Sequence, residues 1–499
     1  MQTTIVFEGQ VLAPQEFEQR CLRSATALHA AGVREGDVVA LLMHNSPLVL
    51  ELMLAVRHLG ALWCPVNWHF KTDEVRFILD NSGAKVLIAD APLLAALPDL
   101  VSLEGANDGG AKTWTTRGSL PGVPAWETLR DATTPLGAPP APPRGAMFYT
   151  SGTTGRPKGI VRAPMTPAQA EAAASMRRIA YGAEPGMRAL LSAPLYHSAP
   201  NSYALGVMQD GGTLFIEPRF DAARTLQLIH EQRLTHAYLV PTMYVRLLAL
   251  PPEVRARHDL GSMRFVASTG SACAPEIKRA MIDWWGPVIN ECYGASELGY
   301  VTLLTSAQAL RKPGSAGLPL PGVVLKIQDE AGREQAPGIP GLIYLHQPAT
   351  AEFSYIGNAQ ARRSMEVGGL KTLGDIGYLD EEGFLFIVDR QADMVISGGV
   401  NIYPAEIEQL LQTMPGVADC AVFGIPDDEF GEALAAAVQP APGADLTADM
   451  VRLWLHGRIA GYKVPKVVRL HEQLPREDTG KIFKRRLREP YWEGRSRRI

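Results

Sequence analysis

The N-terminal part of the chain alternates between helix-like and strand-like hydrophobic patterns. Apolar residues recur at helical spacing over residues 17–31 and again over residues 48–59. Continuous apolar runs at 37–42 and 84–89 predict short buried strands. Strands that alternate with helices are typical of a mostly parallel α/β sheet.

A second α/β pattern runs from residue 147 to about residue 285, after a Pro-, Gly- and Ala-rich stretch at 132–145 that predicts a surface connection. From 317 to 390 the pattern changes to short strand-like runs separated by Gly and Pro, which predicts an antiparallel β subdomain. Beyond Arg390 the pattern is again mixed, with a helix predicted to start near Pro404.

These patterns predict an α/β protein. Its overall class is α+β, because antiparallel strands accompany the parallel α/β parts. We expect a large N-terminal domain, residues 1–389, made of two parallel-type α/β subdomains and a β subdomain. Residues 390–392 would form a junction, and residues 393–499 a small α+β C-terminal domain. The length of 499 residues agrees with two or three domains, because single cores stop growing well below this size.

Composition excludes several classes of function. The 48 basic and 52 acidic residues nearly balance, so nothing draws the whole chain to nucleic acid or membrane. The five cysteines are scattered and form no CxxC pair, which favours a reducing cytoplasm over a zinc or disulfide framework. The most apolar stretch, 48–63, contains Glu51, Arg57 and His58, so it predicts a buried helix and strand rather than a membrane span of about 20 apolar residues. The N-terminus shows no signal-peptide pattern.

One segment carries clear chemistry, the run Tyr-Thr-Ser-Gly-Thr-Thr-Gly-Arg-Pro-Lys-Gly at residues 149–159. Its glycines allow backbone N–H groups to turn inward, its hydroxyls can donate to phosphate oxygens, and Lys158 adds a positive charge. A Walker A loop requires Gly-Lys-Ser/Thr at its end, whereas here Pro157 precedes Lys158 and Gly159 follows it. The segment therefore predicts a triphosphate site of another kind; a flexible Ser/Thr/Gly turn is the structural alternative.

This segment resembles the phosphate loop of the adenylate-forming enzymes, which include acyl-CoA synthetases, peptide-synthetase adenylation domains and luciferases. Further motifs follow in the family's order: 268–275 for its small-residue turn, Tyr-Gly-Ala-Ser-Glu at 293–297, Thr-Leu-Gly-Asp at 372–375, Asp-Arg at 389–390, the Gly-rich loop at 397–408, and Pro-x-x-x-x-Gly-Lys at 475–481. The resemblance covers roughly residues 10 to 490.

The resemblance implies roles for particular residues. Lys481, Thr150, Glu297 and His197 would be catalytic, with Glu297 and Thr150 at Mg²⁺. The predicted nucleotide-binding residues are Thr150, Ser151, Gly152, Thr153, Thr154, Lys158, Gly270, Ser271, Ala272, Glu291, Cys292, Tyr293, Gly294, Ala295, Ser296, Asp375, Ile387, Arg390 and Lys481. Tyr293 would stack on adenine, Asp375 would accept the ribose hydroxyls, and Lys481 would bridge the carboxylate and the α-phosphate.

The same resemblance implies a two-step reaction. Mg·ATP and a carboxylic acid would give an acyl-adenylate and pyrophosphate; the C-terminal domain would then rotate, so that Ser397, Gly398 and Gly399 line the path of coenzyme A. The hinge position, often Asp or Lys in the family, is Ala392 here, which puts the hinge behaviour in doubt.

The acyl pocket is expected at Tyr196, His197, Ala199, Tyr203 and Gly294, with a packed loop histidine as the structural alternative for His197. Residues 199–208 contain no Asp that could pair an amino group, and the small apolar neighbours favour an uncharged acyl group: a medium- or long-chain fatty acid, or an aryl or alicyclic acid. Expected partners are this acid, ATP and CoA, with a homodimer as a candidate assembly. An enzyme that loads a carrier protein, a luciferase-like oxygenase and a non-catalytic nucleotide-binding module are the alternatives.

Overall fold

The computed structural model describes residues 3–97, 100, 111–142, 144–150, 157–329, 331–391, 393–397, 400–476 and 482–493. The first elements are β1 (Thr3–Phe7), β2 (Gln10–Leu12), α1 (Pro14–Ala30), β3 (Val38–Leu42), α2 (Pro47–His58), β4 (Leu62–Pro65), α3 (Thr72–Ser82), β5 (Ala84–Asp90), α4 (Ala91–Ala95), β6 (Lys112–Thr116) and α5 (Trp126–Asp131). Four of these strands form a parallel sheet in the order β4-β3-β5-β6. All residues of β3 are buried, as expected of a strand covered on both faces.

The central part of the chain builds a nine-stranded sheet. Its elements are β7 (Phe148–Thr150), β8 (Lys158–Arg162), α6 (Pro167–Tyr181), β9 (Met187–Leu191), α7 (Ser198–Asp210), β10 (Gly212–Ile216), α8 (Ala222–Gln232), β11 (His236–Leu239), α9 (Pro241–Leu248), α10 (Pro252–Ala256), β12 (Phe265–Ser268), α11 (Pro275–Trp285), β13 (Ile289–Ala295), β14 (Gly299–Leu304), α12 (Ser306–Arg311) and β15 (Leu318–Pro319). The strand order is β15-β14-β13-β12-β11-β9-β10-β1-β2. Strands β1 and β9 to β13 run parallel, whereas β2, β14 and β15 pair antiparallel with their neighbours.

The next stretch is antiparallel, as its Gly- and Pro-broken pattern predicted. It contains β16 (Val324–Gln328), β17 (Gly341–His346), β18 (Phe353–Tyr355), α13 (Ala359–Arg363), β19 (Glu366–Val367), β20 (Leu370–Lys371), β21 (Asp375–Leu379) and β22 (Leu385–Arg390). Strands β16, β17 and β19 to β22 make one sheet, while β18 pairs with β8, and β8 pairs with β7.

The last part is mixed α/β, with β23 (Val395–Ser397), β24 (Val400–Ile402), α14 (Pro404–Gln412), β25 (Val417–Asp427), β26 (Gly431–Pro440), α15 (Ala448–His456), a 3₁₀ turn (Gly461–Lys463), β27 (Val467–Leu470) and α16 (Lys484–Trp492). Apolar residues of this part form two core clusters of their own, on either face of the β25–β26 pair. Within the described ranges, no helix combines the length and apolar character needed to cross a bilayer.

The fold brings one edge of the large sheet to the antiparallel strands. The carboxyl ends of parallel strands are the usual ligand-binding edge of such a sheet. Strands β9, β11 and β12 end here, and they are followed by His197, Val240 and Gly270. The sequence-predicted site residues therefore gather where the fold alone would place a ligand.

Candidate active site

A cavity of about 700 Å³ opens at this edge of the sheet. Its wall includes Thr150 and Lys158, which lie directly opposite each other in the antiparallel pair β7–β8. The phosphate-loop residues Ser151, Gly152, Thr153 and Thr154 lie outside the described residues, as do Gly398, Gly399, Ala392 and Lys481. The two ends of the predicted phosphate loop nevertheless meet at the cavity.

Glu297 projects from the turn between β13 and β14 and is already hydrogen-bonded. Its Oε1 accepts from the Thr150 hydroxyl at 3.3 Å and from the Tyr355 hydroxyl at 3.1 Å. The residue is 8% exposed. A Cβ on Gly294 would collide with the Gly299 carbonyl, so the close approach of β13 and β14 before this turn requires glycine.

Arg162 holds the same turn from behind. Its guanidinium donates to the carbonyls of Ser296 at 2.5 Å, of Glu297 at 2.9 Å and of Ala351 at 2.9 Å. Burial lowers the pKa of Arg162 to about 10, against the opposing effect of Glu297 and Glu352, so it stays protonated at neutral pH. A charged donor shared by three carbonyls fixes the backbone that carries Ser296 and Glu297.

The start of α7 meets this turn. Ser198, the first residue of α7, shares a 2.6 Å hydrogen bond between its hydroxyl and that of Ser296. His197 is the N-cap residue, and its Nε2 is buried without a hydrogen-bond partner among the described residues. Burial lowers the pKa of His197 to about 4, so the imidazole is neutral at physiological pH.

The predicted ribose ligand, Asp375, is held by two side chains. Asp375 is 4% exposed; its Oδ2 accepts from the Tyr293 hydroxyl at 2.5 Å and its Oδ1 from Arg390 Nε at 3.0 Å. Burial, together with the Asp375 charge, raises the pKa of Tyr293, which keeps the phenol protonated as the donor. Each carboxylate oxygen has a further lone pair, so Asp375 can still accept from a ligand.

Other predicted nucleotide residues differ in position. Gly270, Cys292, Gly294, Ala295, Ser296 and Arg390 line the cavity. Glu291 instead forms a buried ion pair with Lys278 at 3.0 Å, and burial raises the pKa of Glu291 although Lys278 opposes this. Ile387 packs against the core of the antiparallel sheet. Ser271 and Ala272 follow Gly270 without reaching the cavity wall.

Only some of the predicted acyl-pocket residues line the cavity. His197, Ala199 and Gly294 line the cavity, whereas Tyr203 is 2% exposed and packs among Tyr181 and Tyr238. Tyr196 lies edge-on to Trp68, with ring centroids 4.6 Å apart. The face of α7 that meets the cavity carries Ser198, Ser202 and Leu205.

Comparison with known proteins agrees with this geometry. The family model described as AMP-binding enzyme matches residues 2–355, and the model of the AMP-binding enzyme C-terminal domain matches residues 406–481. The chain belongs to the AMP-binding enzyme family.

Curated members of the AMP-binding family resemble the chain over nearly their whole length. Feruloyl-CoA synthase of Amycolatopsis sp is 35% identical over 496 residues, which cover 97% of this chain and 95% of the relative. Long-chain-fatty-acid–CoA ligase FadD13 of Mycobacterium tuberculosis is 36% identical over 477 residues, covering 94% and 91%. The crystal structure of ATP-bound MatB from Rhodopseudomonas palustris superposes with a TM-score of 0.86 at 29% identity, covering 99% and 97%.

These matches confirm the predicted family, fold class and enzyme class, an AMP-forming acid–thiol ligase. Enzymes of this class use ATP, Mg²⁺ and CoA. The residues present fit Mg·ATP: Glu297 and the Thr150 hydroxyl offer hard oxygen donors beside the phosphate loop, and Mg²⁺ usually takes one or two carboxylates together with substrate phosphates.

Sequence analysis missed two side chains that organise this site. Arg162 follows the apolar pair Ile160 and Val161 at the end of β8, and a charge next to buried strand residues is a signal for a buried partner. Tyr355 gave no local signal, because it reaches Glu297 only through the pairing of β18 with β8.

Proposed function

We propose that this AMP-binding enzyme joins a carboxylic acid to coenzyme A, with a medium- or long-chain fatty acid or an aryl or alicyclic acid as substrate. The observation that carries the proposal is the Glu297 turn: its carboxylate, the Thr150 hydroxyl and the Ser198–Ser296 pair converge on one cavity. Tyrosine rings and Met176 beside this cluster offer an apolar acyl body a place on the same cavity wall.

In the first half-reaction, a carboxylate oxygen of the acid attacks the α-phosphorus of ATP and pyrophosphate leaves. Lys158 and the phosphate loop would hold the outgoing phosphates, and Glu297 with Thr150 would hold Mg²⁺, which neutralises the phosphate charge when bound. Lys481 would bridge the carboxylate and the α-phosphate, where negative charge grows. Asp375 would hold the ribose.

In the second half-reaction, the thiol of CoA attacks the acyl carbon and AMP leaves. We propose that residues 393–499 rotate about residues 390–392 between the steps, as in other hinge-type switches. In the present arrangement the two sides of this junction are in contact, because Asp389 Oδ2 accepts from the backbone N–H of Ala405 at 3.0 Å, near the start of α14. Rotation would bring Ser397, Gly398 and Gly399 toward the CoA path.

A panel of acids, each assayed with and without CoA, tests the proposal. We expect pyrophosphate release that depends on the acid, and thioester only when free CoA is present. Activity confined to amino acids or malonate would refute the acid class. Pyrophosphate release with transfer only to a carrier protein would identify a loading enzyme instead, and ATP binding without any release would identify a non-catalytic module.

A further inference from the structure

The cavity continues beyond His197 along one face of α7. Ser198, Ser202 and Leu205 line it at the i, i+4, i+7 spacing of a single helical face. Tyr181, Tyr238 and Tyr300 also belong to the cavity wall, and Ser202 and Tyr300 are hydrogen-bonded through their hydroxyls. The cavity therefore has a polar end at Ser198 and a tyrosine-rich stretch beyond it.

A guanidinium lies at the far end of this stretch. Arg177 of α6 lines the cavity, and a Cβ on Gly206 would lie only 3.0 Å from Arg177 Cδ and 3.2 Å from its Nε. Gly206 is eight residues after Ser198, or about 12 Å along the helix axis at 1.5 Å per residue. The Arg177 side chain thus packs against α7 two turns away from the proposed site of chemistry.

The guanidinium of Arg177 lacks a charged partner among the described residues. In the described ranges, no carboxylate pairs with Arg177; it donates to the side-chain oxygen of Gln209, and its buried Nε has no acceptor. The nearby charge is another cation, Arg57 at the end of α2, which also lacks a carboxylate partner there. Burial, with a smaller effect of Arg177, lowers the pKa of Arg57.

Two neighbouring guanidinium groups without a carboxylate are unfavourable in a partly buried position unless an acceptor joins them. The adjacent Arg178 shows the contrast, since it pairs with Asp210 at 2.7 Å on the exposed side of the same helix. Among the described residues no carboxylate accepts from Arg177, so an acid that enters the cavity can supply the acceptor.

We propose that Arg177 determines substrate specificity by binding a terminal oxygen of the acid. That oxygen is either an aryl oxygen or a second carboxylate, and a second carboxylate would replace the uncharged acyl end expected from the sequence. The inference rests on the proposed function. With the reacting carboxyl at Ser198 and a hydrogen bond of about 3 Å to the guanidinium, the two ends of the acid are separated by roughly 9 Å. That span fits a para-oxygenated cinnamate-type acid or a straight dicarboxylate of medium length.

Matched acid pairs test the inference: octanedioate against octanoate, and 4-hydroxycinnamate against cinnamate. The measurement is kcat/KM for pyrophosphate release by the full-length enzyme with saturating Mg·ATP. We expect the wild type to prefer the oxygenated member of at least one pair, and the pair that responds identifies the oxygen. Arg177→Met should lower that preference about ten- to hundredfold, mainly through KM, as expected on loss of a hydrogen bond to a charged group.

Arg178→Met is the matched control, because it removes the neighbouring arginine without touching the cavity, and it should leave the preference unchanged. Gly206→Ala disturbs the same guanidinium from α7 without removing it and should reduce the preference by a smaller factor, so the inference does not depend on one variant folding. If the wild type uses octanoate and cinnamate with a kcat/KM equal to or higher than that of their partners with a second oxygen group, the inference is overturned and the proposed function stays intact. Failure of every acid to release pyrophosphate would overturn the proposed function as well.

Discussion

Replacing Arg162 tests whether the Glu297 turn is held in place for catalysis. Arg162→Met removes a buried cation and leaves the carbonyls of Ser296, Glu297 and Ala351 without their donor. A hydrogen bond to a charged group is worth about 1.5–3 kcal/mol. The three bonds share one donor and do not add, so we expect the free energy of unfolding to fall by about 3 kcal/mol.

The larger effect should be on acyl-adenylate formation. Without its anchor the Ser296–Glu297 backbone can shift, and a displacement on the order of 1 Å in a positioned group costs about a hundredfold in rate. The assay is ATP–pyrophosphate exchange at saturating substrates, together with the Mg²⁺ concentration that gives half-maximal rate. We expect Arg162→Met to lower the rate about a hundredfold and to raise this Mg²⁺ concentration, with Arg162→Lys intermediate because an ammonium cannot span all three carbonyls.

Arg130→Met is the control for stability alone. Arg130 is buried and pairs with Glu51 and Asp131, but it does not line the cavity. Its loss should destabilise the protein and leave the exchange rate and the Mg²⁺ dependence of the folded enzyme unchanged. If both variants lose stability while Arg162→Met keeps the wild-type rate and Mg²⁺ dependence, the positioning role is refuted.

Other residues have sharper chemical tests. Lys481→Ala should abolish adenylate formation and spare thioester formation from preformed acyl-AMP; equal loss in both half-reactions would contradict its proposed role. Gly399→Leu should slow only the second half-reaction, and an equal fall in pyrophosphate exchange would argue against two conformations. Glu297→Gln should raise the Mg²⁺ requirement of pyrophosphate release about tenfold or more, since a hard cation prefers a carboxylate; an unchanged Mg²⁺ titration would count against a metal role. Burial lowers the pKa of His197 from 6.5 to about 4. The contribution of the neutral imidazole to the free energy of unfolding is therefore complete above about pH 6.5, and it is lost as the pH falls toward 4, because the unfolded chain takes up the proton first. The stability advantage of the wild type over His197→Gln in urea should therefore shrink on acidification, and a constant difference would exclude this titration.

Local patterns predicted much of the fold because they act over short stretches of chain. The helix expected at 48–59 is present as α2, and the strand expected at 84–89 as β5. The helix expected near Pro404 is present as α14. Pairings between distant segments could not be predicted in this way. Strand β1 pairs with β10 of the nine-stranded sheet, with Thr3 opposite Gly212, and no hydrophobic pattern within either segment indicates that pairing.

The same division holds in the candidate site. The end of the phosphate loop and the Ser296–Glu297 turn were predicted because their residue types are dense in short motifs. Tyr203 was expected in the acyl pocket, but it is 2% exposed, whereas its helix neighbours Ser202 and Leu205 line the cavity. Closeness in sequence does not fix which side of a helix a residue occupies.

A phosphate-binding site and an acyl-binding site differ in how their residues are distributed along the sequence. A phosphate cradle needs successive backbone N–H groups and hydroxyls, so it occupies one continuous loop and is recognised from sequence. The proposed acyl path is lined by single residues of separate elements, namely Arg177 of α6, Leu205 of α7 and Tyr300 of β14. On an amphipathic helix Arg177 is indistinguishable from its solvated neighbour Arg178 until the partners of each are known. The reaction type therefore follows from motifs, whereas our proposal for the acid depends on a charge that has no carboxylate partner among the described residues.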